Sequence, residues 1–175
     1  NLFNLELFEK IVLLDTKVKL SEDVVNQVKE SNLFLNSFIK GKVIYGINTG
    51  LGPMAQYRIE EKDQVDLQKN LIRSHAAGIG AHQSPHMVKG AMLCRLISFS
   101  KAYSGVTLET LETLIAFINN NITPVVSAHG GVGASGDLVQ LSQIALCLIG
   151  EGEVYYKGEL LKTKLVLHKL DIKPL

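Results

Sequence analysis

The sequence predicts a mainly helical fold with only a few short strands. Apolar residues recur at intervals of three and four along successive segments, capping side chains stand at the heads of several of them, and strand-like runs are confined to residues 43–45 and 154–161.

Ser21 heads the first such segment, with Glu22 and Asp23 where acids favour the positive end of a helix dipole, and Val25, Val28, Leu35 and Phe38 continue it. A glycine-rich run over residues 41–52 follows. Val43-Ile44-Tyr45 is a candidate strand there, and Gly46, Gly50 and Gly52 make the rest an irregular loop. From Glu60, the spacing of Val65, Leu67, Leu71 and Ile72 outlines a second helix, expected to end at Gly78 and Gly80. Ser84-Pro85 opens a third, because proline fits the first helical turn. Thr107 caps a fourth, which carries Leu108, Leu111, Leu114, Ile115 and Ile118 on one side and stops at Asn119-Asn120-Asn121. A second glycine cluster, His129-Gly130-Gly131-Val132-Gly133-Ala134-Ser135-Gly136-Asp137, runs into an apolar helix over residues 138–149 that Gly150 terminates. Val154-Tyr155-Tyr156, Lys157-Gly158 and Glu159-Leu160-Leu161 read as a hairpin.

With 46% hydrophobic and 20% charged residues, 15 Gly and 4 Pro, the chain has the profile of a packed globular segment. Its 18 Lys and Arg are scattered among 17 acids for a net charge of +1, which gives no basic stripe for nucleic acid or anionic lipid. The longest apolar stretch, residues 144–149, falls far short of the roughly 20 residues that span a bilayer. No signal-peptide pattern stands at the N-terminus. Cys94 and Cys147 lie in apolar helical patterns and are expected to be buried free thiols of a reducing, cytoplasmic protein. The start at Asn1 and the uncapped end at Leu175 lead us to expect a piece of a longer chain.

The second glycine cluster sits where backbone N–H groups at a helix N-terminus bind anions. Yet Asp137 stands where a P-loop requires Lys followed by Ser or Thr, and its charge opposes a phosphate. A hydrolase nucleophile elbow fails too, since no glycine lies two places after Ser135. An ordinary Gly/Ser turn ahead of a helix is the bland alternative.

Against that alternative, Gly133-Ala134-Ser135-Gly136-Asp137-Leu138 resembles the signature of the histidine, phenylalanine and tyrosine ammonia-lyases. Tyr45-Gly46-Ile47-Asn48-Thr49-Gly50-Leu51-Gly52, Leu67-Gln68-Lys69-Asn70-Leu71-Ile72-Arg73-Ser74-His75 and Gly150-Glu151-Gly152-Glu153 accompany it in the family's order. The resemblance covers nearly the whole chain. It implies the N-terminal region of the ammonia-lyase fold, within the fumarase/aspartase-like helical superfamily. Residues 1–175 are then the cofactor-forming part of a longer subunit whose C-terminal helical bundle lies beyond them.

The resemblance also implies a chemistry. The amide nitrogen of Gly136 attacks the carbonyl carbon of Ala134, and loss of two waters, one from Ser135, leaves a 4-methylidene-imidazol-5-one electrophile with no metal. A glycine nitrogen can approach closely enough, and Ala134 leaves the turn uncrowded. The helix starting near Asp137 directs its positive end at the ring. Tyr45 corresponds to the base that removes the β-proton, a task that calls for nearby positive potential to favour tyrosinate. Ser74 and His75 stand where the family shapes the pocket for the substrate's ring. His82 and His86 are four apart, but Pro85 intervenes and no Glu follows His82, so we assign them no metal. For His129 and Asp137, help in ring formation and plain packing or capping are equally good readings.

This chain departs from many relatives after the signature: Leu138-Val139-Gln140-Leu141-Ser142-Gln143 replaces Leu-Ala-Pro-Leu followed by Ser-His or Ala-His, and Leu51 replaces a common Phe. The family's asparagine near the ring, its carboxylate-binding arginine and a carboxylate near the amine would lie beyond Leu175. Ser74-His75 is typical of histidine lyases, whereas residues 52–58 and Val139-Gln140 look like bacterial tyrosine lyases. Histidine, giving urocanate, and tyrosine, giving 4-coumarate, are therefore equally good candidates, and phenylalanine fits a polar His75 less well. An aminomutase shares all these motifs. A homotetramer is implied for the full-length protein. The remaining possibility from another class is a truncated, non-catalytic assembly module, and the isolated chain is expected to be inactive in either case.

Overall fold

The computed structural model describes residues 4–136 and 138–175. Asn4 opens helix α1 (Leu5–Leu13) by accepting a 2.9 Å hydrogen bond from the Leu7 N–H, and the Lys10–Glu6 pair adds support one turn apart. This helix was not anticipated from the sequence. Glu6, Glu9 and Lys10 share one face and Leu7, Phe8, Ile11 and Val12 another, a periodicity too short to stand out in nine residues. Ser21 caps α2 (Glu22–Phe38) as expected, though Val28 is its only fully buried residue among those described. Helix α3 (Gln64–His75) buries none fully, whereas α4 (Pro85–Phe99) and α5 (Leu108–Asn119), capped by Ser84 and Thr107, form the centre of the core. Met92, Leu111, Phe117, Ile122 and Val154 are completely inaccessible there. Helix α6 (Leu138–Leu148) and the short α7 (Thr163–Lys169) complete the helical layer.

The strands serve as trim on this layer. Strand β1 (Ile79–His82) pairs antiparallel with β3 (Ser127–His129), while β2 (Thr123–Pro124), β4 (Glu153–Tyr156) and β5 (Glu159–Lys162) form a sheet in the order β2-β4-β5. The expected hairpin is present, with Val154 opposite Leu161 and a tight turn in which Lys157 and Gly158 both take positive φ.

The N-terminal segment is fastened from far along the chain. Buried Lys89 donates to Asp15 Oδ1 at 2.6 Å and to Asn121 Oδ1 at 2.7 Å, and the ammonium group holds the Asp15 carboxyl below the usual carboxylate range. Val18 and Asn119 exchange two hydrogen bonds of 2.8 Å.

Four expectations are corrected. Strands are not confined to residues 43–45 and 154–161, since β1, β2 and β3 lie outside both ranges. Residues 43–45 form no strand. The buried Asn48 side chain accepts from the Ile44 N–H and donates to the Lys42 carbonyl, 2.8 Å each, so the segment curls around an internal amide. Helix α3 stops at His75, short of Gly78, because Ser74 Oγ and His75 Nδ1 both bond the Leu71 carbonyl, and Gly80 belongs to β1. Cys94 is exposed on the side of α4 opposite Met92, Leu93 and Leu96; only Cys147 is buried, and burial pushes its thiol up to about 11.

Candidate active site

The glycine cluster leaves β3 at His129, whose ring lies over Gly80; a β-carbon there would come within 2.7 Å of His129 Cδ2. Gly130 has φ 143° and faces Val139 so closely that a β-carbon would sit 2.6 Å from Val139 Cγ1. Residues Gly133–Ser135 then form a single 3-10 turn, and Gly136 follows in the left-handed region at φ 70°, ψ 61°. A β-carbon on Gly136 would meet nothing, so its requirement is conformational rather than steric. Ala134 is exposed and α6 starts at Leu138. Asp137, expected to flank the triad, lies outside the described residues.

Ser74 and His75 end α3, which packs against α6. Ser74 Oγ lies 3.1 Å from His75 Nδ1, and the bonds of both to the Leu71 carbonyl, 2.9 Å each, fix the half-buried imidazole with Nδ1 inward. Nε2 is then the nitrogen left for a ligand. The neighbouring Arg73 grips Glu151, in the turn after α6, through Nε at 3.2 and 3.1 Å and Nη2 at 2.5 Å. That fork raises the Arg73 guanidinium and lowers the Glu151 carboxyl, in each case chiefly through the hydrogen bonds themselves. Ser74 and His75 thus end one helix of the α3–α6 pair, and the Gly133–Ser135 turn precedes the other. Sequence reasoning recognised the motif that contains Arg73 and the one that contains Glu151, but it did not join them.

Tyr45 is elsewhere. It is 64% exposed, and its hydroxyl accepts from the Gly52 N–H at 3.3 Å. Its loop is pinned from within and by the next segment: Gly50 N–H bonds the Tyr57 carbonyl and Ile59 N–H the Asn48 carbonyl, both at 2.9 Å. Gly50 passes so close to Met54 that a β-carbon would lie 2.5 Å from its carbonyl oxygen. None of these bonds ties Tyr45 to the triad or to His75.

His82 lies in β1 and bonds Tyr155 Oη through Nδ1 at 2.8 Å, while His86 sits in α4. Among the described residues no group of three or more His, Cys, Asp or Glu could hold a metal ion, and no helix is long and apolar enough to cross a membrane.

Residues 3–175 match the family model for aromatic amino acid lyases. The chain belongs to that family. Among its curated relatives is the histidine ammonia-lyase of Shouchella clausii, 42% identical over 168 residues, which cover 95% of the chain and 34% of the relative. Among solved structures, the ergothioneine-degrading enzyme Ergothionase from Treponema denticola superposes with a TM-score of 0.94 at 29% identity, covering 99% of the chain and 35% of that structure. Tyrosine aminomutase from Streptomyces globisporus follows with a TM-score of 0.92, 30% identity, and coverage of 99% and 32%. The chain thus spans about one third of the length of the relatives it matches.

Proposed function

We propose that these 175 residues are the N-terminal, cofactor-forming region of a longer ammonia-lyase subunit that eliminates ammonia from L-histidine, with L-tyrosine the second candidate. The observation that carries this reading is the Gly133–Ser135 turn with left-handed Gly136, set just ahead of α6, the helix against which α3 with its terminal Ser74 and His75 packs. The 42% identity to a histidine ammonia-lyase favours histidine over tyrosine.

The residues fit a ring closed from Ala134, Ser135 and Gly136. Positive φ at Gly136 bends the chain back on the turn, nothing stands where a side chain would be, and Ala134 adds only a methyl group. Closure forms a bond from the Gly136 nitrogen to the Ala134 carbonyl carbon and releases two waters, one carrying the Ser135 hydroxyl. The resulting 4-methylidene-imidazol-5-one supplies the electrophile that turns the substrate's amine into a leaving group. His75 recognises the substrate ring, its Nε2 serving an imidazole nitrogen or a phenol hydroxyl. Tyr45 takes the β-proton onto its oxygen. Because Tyr45 is so exposed on its own chain, we place its partner triad on another subunit of a homotetramer.

The test is the full-length protein supplied separately with histidine, tyrosine and phenylalanine, following ammonia and the conjugated acid by absorbance. Histidine turnover highest of the three, with intact mass lower by two waters, is the expected result. An unmodified mass in an active preparation would overturn the cyclised triad. A β-amino acid as main product would assign an aminomutase instead.

A further inference from the structure

Helix α6 is apolar along most of its length, yet Gln140 and Gln143, one turn apart, both turn their carboxamides towards the segment that leads into the triad. Gln140 lies against Gly131 with its Oε1 buried and unpartnered. Gln143 grips one residue with both ends of its carboxamide. Its Oε1 accepts from the Ser127 N–H at 2.9 Å and its Nε2 donates to Ser127 Oγ at 3.0 Å, so Ser127 of β3 is held at its N–H and its hydroxyl.

A third strand of chain meets this clamp. Gly78, three residues after His75, passes so close that a β-carbon would lie 2.7 Å from Ser127 Cβ, 3.0 Å from Ser127 Oγ and 3.1 Å from Gln143 Nε2. Gly78 also backs onto Gly130, whose own β-carbon would fall 3.2 Å from Gly78 Cα. The exit from the recognition pair, the strand into the glycine cluster and the helix out of the triad therefore cross at one point. Gln143 is the side chain that fixes their spacing.

We infer that Gln143 is a positioning residue for the substrate ring: through Ser127 and Gly78 it sets the distance between His75 and the triad. This rests on the assignment of His75 and the triad to one pocket. The clamp's partners are Ser127 and Gly78, on the His75 side of the glycine cluster, so its loss should act on substrate binding and leave ring closure intact. Hydrogen bonds lost at a part-buried amide correspond to about a tenfold change in an equilibrium constant.

The experiment uses full-length protein and its preferred substrate. Gln143→Leu is expected to raise KM about tenfold while kcat stays within about threefold and the mass still shows loss of two waters, the pattern of binding lost equally in ground and transition states. Gln143→Glu is expected to restore KM, since a carboxylate accepts from both the N–H and the O–H of Ser127. Gly78→Ala, which presses on the same crossing from the other side, is expected to raise KM as well, and it carries the test if Gln143→Leu does not fold. Unchanged KM in both Gln143→Leu and Gly78→Ala, or a kcat loss with normal KM, overturns the positioning role. No turnover by the wild type under any substrate overturns the functional reading first, and this inference with it.

Discussion

The recognition pair and the Tyr45 loop are both glycine-rich neighbourhoods, but they are built in opposite ways. Around Ser74 and His75, long-range ties converge: Arg73 to Glu151, Gln143 to Ser127, Gly78 against Gly130. The Tyr45 loop is fastened by its own Asn48 and by residues 57–59, and it presents its phenol to solvent. Contacts distant in sequence hold the first, while the second is a loop closed on itself. The difference teaches how the proposed division would arise: one neighbourhood set by its own chain's long-range ties, the other holding its phenol out to solvent.

The strongest way to break this comparison is to separate the halves. In the full-length protein Ser135→Ala and Tyr45→Phe should each lower turnover by orders of magnitude, and only Ser135→Ala should abolish the loss of two waters. Co-expression of the two variants should regain part of the activity, because some sites then pair an intact triad with an intact tyrosine from another subunit. Absence of any regain in verified mixed oligomers would place both residues in one chain's site. Next in size, purified residues 1–175 alone should show no turnover of histidine, tyrosine or phenylalanine, since orientation by the missing parts is lost. Clear turnover, abolished by Tyr45→Phe, would contradict the division into halves.

A smaller effect sharpens the contrast from the loop side. Asn48→Ala leaves the Ile44 N–H and the Lys42 carbonyl unpaired and should destabilise the loop by about 1–3 kcal/mol, read as faster amide exchange over residues 42–50 with the α6 amides unchanged. The smallest effect is on the scaffold side and depends on pH. Glu151 is held below its ordinary value of 4.5 by Arg73, so its stabilising contribution is present above that value and disappears as pH falls through the lowered one. Thermal melts of wild type and Glu151→Gln should differ near neutrality and converge in acid. A constant gap would show that the fork does not act through charge.

Much of this was legible in the residues. Ser21, Ser84 and Thr107 cap the helices they were expected to cap, and the hairpin turn at Lys157-Gly158 follows from its residue types. The family, and the glycine turn ahead of α6, were legible through local motifs. What escaped was set by contacts distant in sequence or by a side chain competing with the backbone: Asn48 replaces a strand by an internal amide, and His75 closes α3 before its glycines are reached. Cys94 escaped because α4 is apolar on both sides, so pattern alone does not say which side faces the core. Gln143 stood out as a departure from relatives, but its partner Ser127 could be found only in three dimensions.

The fastening of the N-terminal segment bears on the order in which the chain can assemble. Val18 waits for Asn119, 101 residues downstream, and Asp15 for Lys89, 74 residues downstream. Synthesis proceeds at about 5–20 residues per second, so the segment behind α1 has no native seat for roughly 5–20 seconds after it is made. During that interval Ile11 and Val12 of α1, buried in the folded chain, are open to other chains.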